Sequence, residues 1–302
     1  GGLAGDALTD ADFNVAIGYA ALTSDTLGSR STAIGYEALE NQNFTTATTA
    51  YNVAVGYNAG KAMTTGGNNT FLGSLAGKSL TNADRNTVLG RSALTTDTLG
   101  SRTVAVGYGV LQNQNLTTAT NVYNVAVGYD AGASVTTGVK NTFLGALAGD
   151  AITDADLNTA VGYFSLSTDT LGSRSTAVGT GALKVQNFTT ATDAYNTAVG
   201  FEAGVSVTTG ASNTLIGGLA GDAITTGTFN TYVGKEAGGA ATTGDYNTFI
   251  GAGTIAGTGN FGAGSLMTTG SKNTIIGGYN GNQNSLDLRT ASNNIVLSDG
   301  DG

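Results

Sequence analysis

A five-residue phrase, Asn-Thr/Val-x-aliphatic-Gly, recurs along this chain, closing at Gly18, Gly35, Gly56, Gly73 and Gly90, onward to Gly251, and again at Gly277. From Gly18 to Gly234 the steps run 17, 21, 17 and 17 residues, and that set of four occurs three times, giving a 72-residue superperiod. A unit this short can bury its apolar face only against its neighbours, so the repeat predicts a stack of coils rather than a globular enzyme. The predicted fold is all-β: a repetitive parallel β-solenoid or β-roll with coils of 17 and 21 residues. Residues 1–237 form the regular shaft and 238–302 an irregular, Gly-rich continuation, because the residue four places after each core Gly follows a Leu, Leu, Gly, Gly rule that breaks at Gly238.

Each coil reads as a strand, a turn, a second extended piece and a second turn. The second core position is always Thr or Val and the fourth always aliphatic, so those side chains share one face of the strand. The third position is also apolar: Ala in eight of fifteen cores, but Phe71, Phe143, Tyr232 or Phe249 in others. A strand that is apolar on both faces is buried on both, one filling the coil and the other meeting a partner chain. The closing Gly marks a corner with positive φ or an approach too close for a Cβ. The leading Asn, replaced only by Ser31, Thr103 and Ser175, either bonds its own backbone at a turn or ladders to the next coil.

Composition removes several classes. With 48 Gly but no Pro the chain is not collagen, and with 11% charged residues it is not a charged disordered segment. There is no Cys for disulfide or thiolate chemistry, and no stretch approaches the roughly 18 apolar residues of a membrane span. A net charge of −9 without a basic run argues against nucleic acid as a partner. The chain opens inside the tail of a unit, since Gly2-Leu3-Ala4-Gly5-Asp6-Ala7 matches Ala146-Leu147-Ala148-Gly149-Asp150-Ala151, and so reads as a piece of a longer protein.

Nothing in the sequence points to catalysis, a cofactor or a metal. His is absent, which removes the commonest general base and metal ligand. Paired carboxylates could serve glycoside hydrolysis, but Asp25, Asp97 and Asp169 share one superperiod slot, each five residues before Arg30, Arg102 or Arg174. They are expected to be structural Asp-Arg bridges. Asp10-Ala11-Asp12 and Asp154-Ala155-Asp156 suggest calcium, yet their equivalents Asn82-Ala83-Asp84 and Thr226-Gly227-Thr228 favour solvated turns. Tyr19, Tyr36, Tyr57, Tyr108, Tyr129 and Tyr163 follow the core Gly directly and are expected to form an aromatic ladder rather than a sugar platform.

The 21-residue coils carry an insertion that marks the candidate ligand-binding loops: Gln42, Asn43 and Phe44; Gln114, Asn115 and Leu116; and Gln186, Asn187 and Phe188. Solenoid insertions map to loops on one face, and Gln and Asn suit sugar hydroxyls.

The cores Val15-Ala16-Ile17-Gly18 and Val53-Ala54-Val55-Gly56 resemble the repeat of trimeric autotransporter adhesin heads. The longer pattern Asn196-Thr197-Ala198-Val199-Gly200-Phe201-Glu202-Ala203-Gly204, followed by Thr-Thr-Gly, resembles more closely the tandem shafts of bacteriophage tail fibres, and the end from Asn293 to Gly302 is similar to the segment leading into their C-terminal chaperone. The resemblance implies a homotrimer, with two further copies of the chain as partners, located in a virion tail or otherwise extracellular. It implies attachment to a host surface glycan or outer-membrane component, with neither nucleic acid nor membrane insertion. The alternative is the head of a bacterial surface adhesin. Ice binding and glycan depolymerisation rank lower.

Overall fold

A computed structural model describes residues 1–252, 262–283 and 285–298, so 253–261, 284 and 299–302 of the expected irregular region lie outside the described residues. Contacts divide the chain into two compact units, Gly1–Asp154 and Ala155–Gly302. Both are parallel β-solenoids, and no helix occurs among the described residues.

In the first unit eight three-residue strands, from Val15–Ile17 and Thr32–Ile34 to Val125–Val127 and Thr142–Leu144, pair in parallel with their sequence neighbours. The register matches core to core, with Ala16 opposite Ala33, Ala33 opposite Ala54, and Ala54 opposite Phe71. The second unit has eight more, from Thr159–Val161 to Thr274–Ile276 and Ile295–Leu297. The last of these closes with Ser298 in place of Gly.

The third core position points into the coil: Ala33, Ala54, Phe71, Ala105, Phe143 and Phe249 are fully buried. The second and fourth positions point outward, and Ile17, Leu72, Leu89 and Ile216 stand exposed. The coil interior thus holds the bulky third positions, and the uncovered face is the aliphatic one. Second parallel strands form beside the insertions, as Gly28–Ser29 with Thr48–Thr49 and Gly172–Ser173 with Thr192–Asp193, and an antiparallel pair, Asn282–Gln283 with Leu286–Asp287, lies near the end of the second unit; in the other described coils the expected second extended piece is a bend.

The closing Gly satisfies both requirements inferred for it. At Gly90 the φ is +131°, and a Cβ would lie 2.1 Å from the carbonyl oxygen of Gly107 in the next coil. The turn four residues on explains the superperiod as an exchange of volume. Leu22 and Leu39 occupy it with φ of +53° and +50° and plug coils whose third position is Ala. Where the third position is Phe71, the turn residue is Gly77, whose Cβ would meet the ring at 2.4 Å. The same logic accounts for Gly238, where a Cβ would meet the Tyr232 ring at 2.4 Å. The parallel ladder runs on through Thr248–Ile250 and Thr274–Ile276, with a step of 26 residues between these two strands and an antiparallel pair, Asn282–Gln283 with Leu286–Asp287, after them.

The leading Asn residues form a buried ladder. Asn69 donates its backbone N–H to Asn52 Oδ1 (2.9 Å), Asn86 to Asn69 Oδ1 (3.0 Å), and Thr103 to Asn86 Oδ1 (2.8 Å). Each amide nitrogen also donates to a carbonyl at the opposite corner, Asn52 to Gly66 (2.7 Å) and Asn86 to Gly100 (3.0 Å). Both ends of a buried amide are thereby satisfied, as burial requires.

Candidate functional site

The inserted segments do not present the expected Gln and Phe side chains to solvent. Gln42, Gln114 and Gln186 are fully buried, and Phe44, Leu116 and Phe188 are nearly so. Gln42 donates to Asp25 Oδ2 (2.6 Å) and Ser31 Oγ (3.0 Å) and accepts from Asn52 Nδ2 (2.9 Å), so its amide completes the ladder where Ser31 replaces Asn. Gln114 and Gln186 repeat this with Asp97 and Asn124, and with Asp169 and Asn196. Asn43, Asn115 and Asn187 are half-buried and accept from Thr26, Thr98 and Thr170. What each insertion exposes is Thr45, Thr46 and Ala47, or their equivalents.

The expected Asp-Arg bridges are absent from these slots. Asp25 is fully buried and accepts from the backbone N–H of Gly28 (3.0 Å) and Phe44 (3.1 Å), pinning the insertion to the coil. Arg30 instead points outward and donates to the Tyr51 hydroxyl (3.1 Å), and Arg174 pairs with Asp193 (2.8 Å). A buried carboxylate held by three donors needs no cation, and the five-residue spacing places Arg30 at an exposed corner. Among the described residues no group of three or more acidic side chains is placed to hold a metal ion.

Five of the six tyrosines stack, Tyr19 on Tyr36 (5.3 Å between ring centroids), Tyr36 on Tyr57 (5.5 Å) and Tyr108 on Tyr129 (5.6 Å), while Tyr163 meets the adjacent Phe164 ring at a tilt (4.2 Å). The ladder lies outside the coil, each ring about half exposed, beside the exposed aliphatic column of the strand face. Ile17, Val53, Leu72 and Leu89 are exposed in the first unit, as are these rings.

In the second unit a cavity of about 350 Å³ is lined by Leu219, Asp222, Glu236, Gly239, Ala240 and Ser265. Asp222 Oδ1 and Ser265 Oγ are buried there without a hydrogen-bond partner. Burial, with the nearby negative charge of Glu236 adding to it, pushes the Asp222 carboxyl above its usual range. Glu236 pairs with Lys235 (2.8 Å), whereas Asp222 is held by backbone N–H groups with its Oδ1 left unpartnered.

One set of residues is invisible to motif reading. The residue immediately before each core Asn, from Phe13 and Arg30 to Lys140 in the first unit, adopts a left-handed φ and projects outward. The signal is available in the alignment of repeats: this position carries a large side chain in coil after coil and is never Gly.

No protein-family model matches the chain, and comparisons with curated proteins and with solved structures likewise find no match.

Proposed function

We propose that the chain is a structural shaft of a bacteriophage tail fibre, assembled as a parallel homotrimer outside the cell, and that it carries a host-attachment function rather than catalysis. The observation that supports this reading is the outward strand face. In the first unit its aliphatic column repeats rung after rung over roughly 34 Å, at ~4.8 Å per rung, and Ile17 and Leu72 are 57% and 43% exposed in the single chain. Soluble monomers rarely leave so long an apolar surface open, and obligate assemblies cover one with copies of themselves. Three copies related by a common axis would bury the column against itself while leaving the insertions outside.

Light scattering on the soluble fragment should give about three times the 29.9 kDa chain mass. Leu72→Lys combined with Leu89→Lys should reduce it to one chain with the β-sheet circular dichroism kept. A stable, soluble monomer of the natural chain would refute the proposal.

A further inference from the structure

The corner column of the first unit points to a ligand of its own. Four of its eight residues are cations, Arg30, Arg85, Arg102 and Lys140, all exposed. Three others are aromatic: Phe13, Tyr51 and Tyr123. These four cations are a third of the twelve Lys and Arg residues in a chain of net charge −9, gathered on one edge. None of the four forms an ion pair among the described residues. The neighbouring column contributes two carboxylates, Asp12 and Asp84, and Asp84 is committed to the Gly67 N–H (2.8 Å).

The backbone makes this composition more telling. All eight residues have φ between +52° and +64°, a conformation that favours Gly and costs other residues of order 1 kcal/mol or more each. The chain contains 48 Gly and uses none of them here, although Gly109 takes a comparable left-handed turn elsewhere in the same unit. Large side chains are kept at these corners against the local preference of the backbone.

Their arrangement suits a polymer that combines flat apolar faces with sparse anions. Arg30 lies over the rings of Phe13 (5.3 Å) and Tyr51 (5.9 Å), and Arg102 over Tyr123 (5.6 Å). Arg30 and Arg102 each give one N–H to a tyrosine hydroxyl, Tyr51 (3.1 Å) and Tyr123 (3.4 Å), and the remaining N–H groups of the guanidinium edge can meet a carboxylate. Beside Arg85 and Arg102 runs a polar groove of about 340 Å³ lined by Asn82, Asp84, Ser101, Ala119, Thr120 and Asn121, rich in donors and acceptors for hydroxyl groups.

Charge density separates the two kinds of anionic polymer. The four cations, from Arg30 to Lys140, are spread over six rung steps, roughly 29 Å at ~4.8 Å each, whereas one DNA strand carries a phosphate every ~3.4 Å. We propose that the column Phe13 to Lys140, with the groove beside Arg102, binds an acidic polysaccharide whose carboxylates are separated by neutral sugars. This site is independent of the trimer reading and distinct from the inserted segments.

The test is calorimetric titration of the intact chain with hyaluronan oligosaccharides, an alternating uronic-acid polymer, against neutral dextran and single-stranded DNA of similar length at one ionic strength. Binding of the uronate polymer alone is expected, weakening as salt rises, with Arg85→Gln combined with Arg102→Gln reducing affinity at least about tenfold. That variant should keep the circular dichroism and the solution mass of the natural chain. Absence of uronate binding, equal or tighter binding of DNA, or an unaffected variant would overturn the proposal. So would a changed mass in the variant, which would assign the column to chain association.

Discussion

Moving bulk between Phe71 and Gly77 tests the account of the superperiod directly. Phe71 is fully buried, and truncation to Ala should cost about 3–5 kcal/mol, as large buried aromatics do. Gly77→Leu alone should cost about 3 kcal/mol, the upper end of overpacking, because its Cβ would lie 2.4 and 2.5 Å from the Phe71 ring, which is already enclosed by Gly60 on its other side. The backbone is not the obstacle: φ is +57° at Gly77 and +53° at Leu22, where Leu is native. If the two effects were independent the double variant would lose about 6–8 kcal/mol. Volume exchange predicts otherwise. An Ala in the strand and a Leu in the turn recreate the Ala33 and Leu39 combination, so the double variant should recover at least about 2 kcal/mol of that sum. Guanidinium unfolding of the four proteins at one protein concentration measures the cycle. A double variant as unstable as the sum would refute the reasoning, because the superperiod would then not reflect complementary filling.

Three other outcomes follow from the interior. Asn86→Ala orphans the Thr103 N–H and the Gly100 carbonyl and should cost about 2–4 kcal/mol, read as a lowered denaturation midpoint. Asp97→Asn turns an amide N–H toward Gln114 Nε2, which now donates to the carboxylate at 2.6 Å; the segment around Leu116 should become the first site of limited proteolysis. Burial raises the Asp222 carboxyl in the folded state, so the folded chain binds its proton more tightly than the unfolded chain does. Its contribution to stability is present below the unfolded value of 3.8 and lost as pH rises through the folded value. Asp222→Asn should therefore raise the melting temperature near neutral pH and flatten its decline as pH rises above the unfolded value.

The solenoid was legible because three constraints coincide in five residues. Period-two patterning marks the strand, Gly marks a corner that no Cβ can share with the next coil, and Asn supplies one donor and one acceptor per rung. Which strand face turns inward was not legible, since Ile17 and Ala16 are both apolar and only the closure of the coil decides between them. Gly238 is a related case. It breaks a pattern of residue names while obeying a rule about volume, and that rule is visible only when the turn residue is paired with the strand residue it touches in space.

The inserted segments show where reasoning from side-chain inventory stops. Gln and Asn beside Phe would suit a sugar site, but the same donors and acceptors suit a buried junction, and Asp25 with Gln42 uses them there. The difference lies in the coil before the insertion, where Ser31 is too short to reach across as Asn52 does. A vacancy in the Asn ladder needs a long amide from elsewhere, and the extra residues deliver Gln42 to it. Ser175 with Gln186, and Thr103 with Gln114, repeat the substitution in step with the insertion. The insertion is thus coupled to the loss of Asn three times over, which a ligand loop would not require. The corner residues preceding each Asn follow no such internal compensation. That freedom from the core is what leaves them available for recognition.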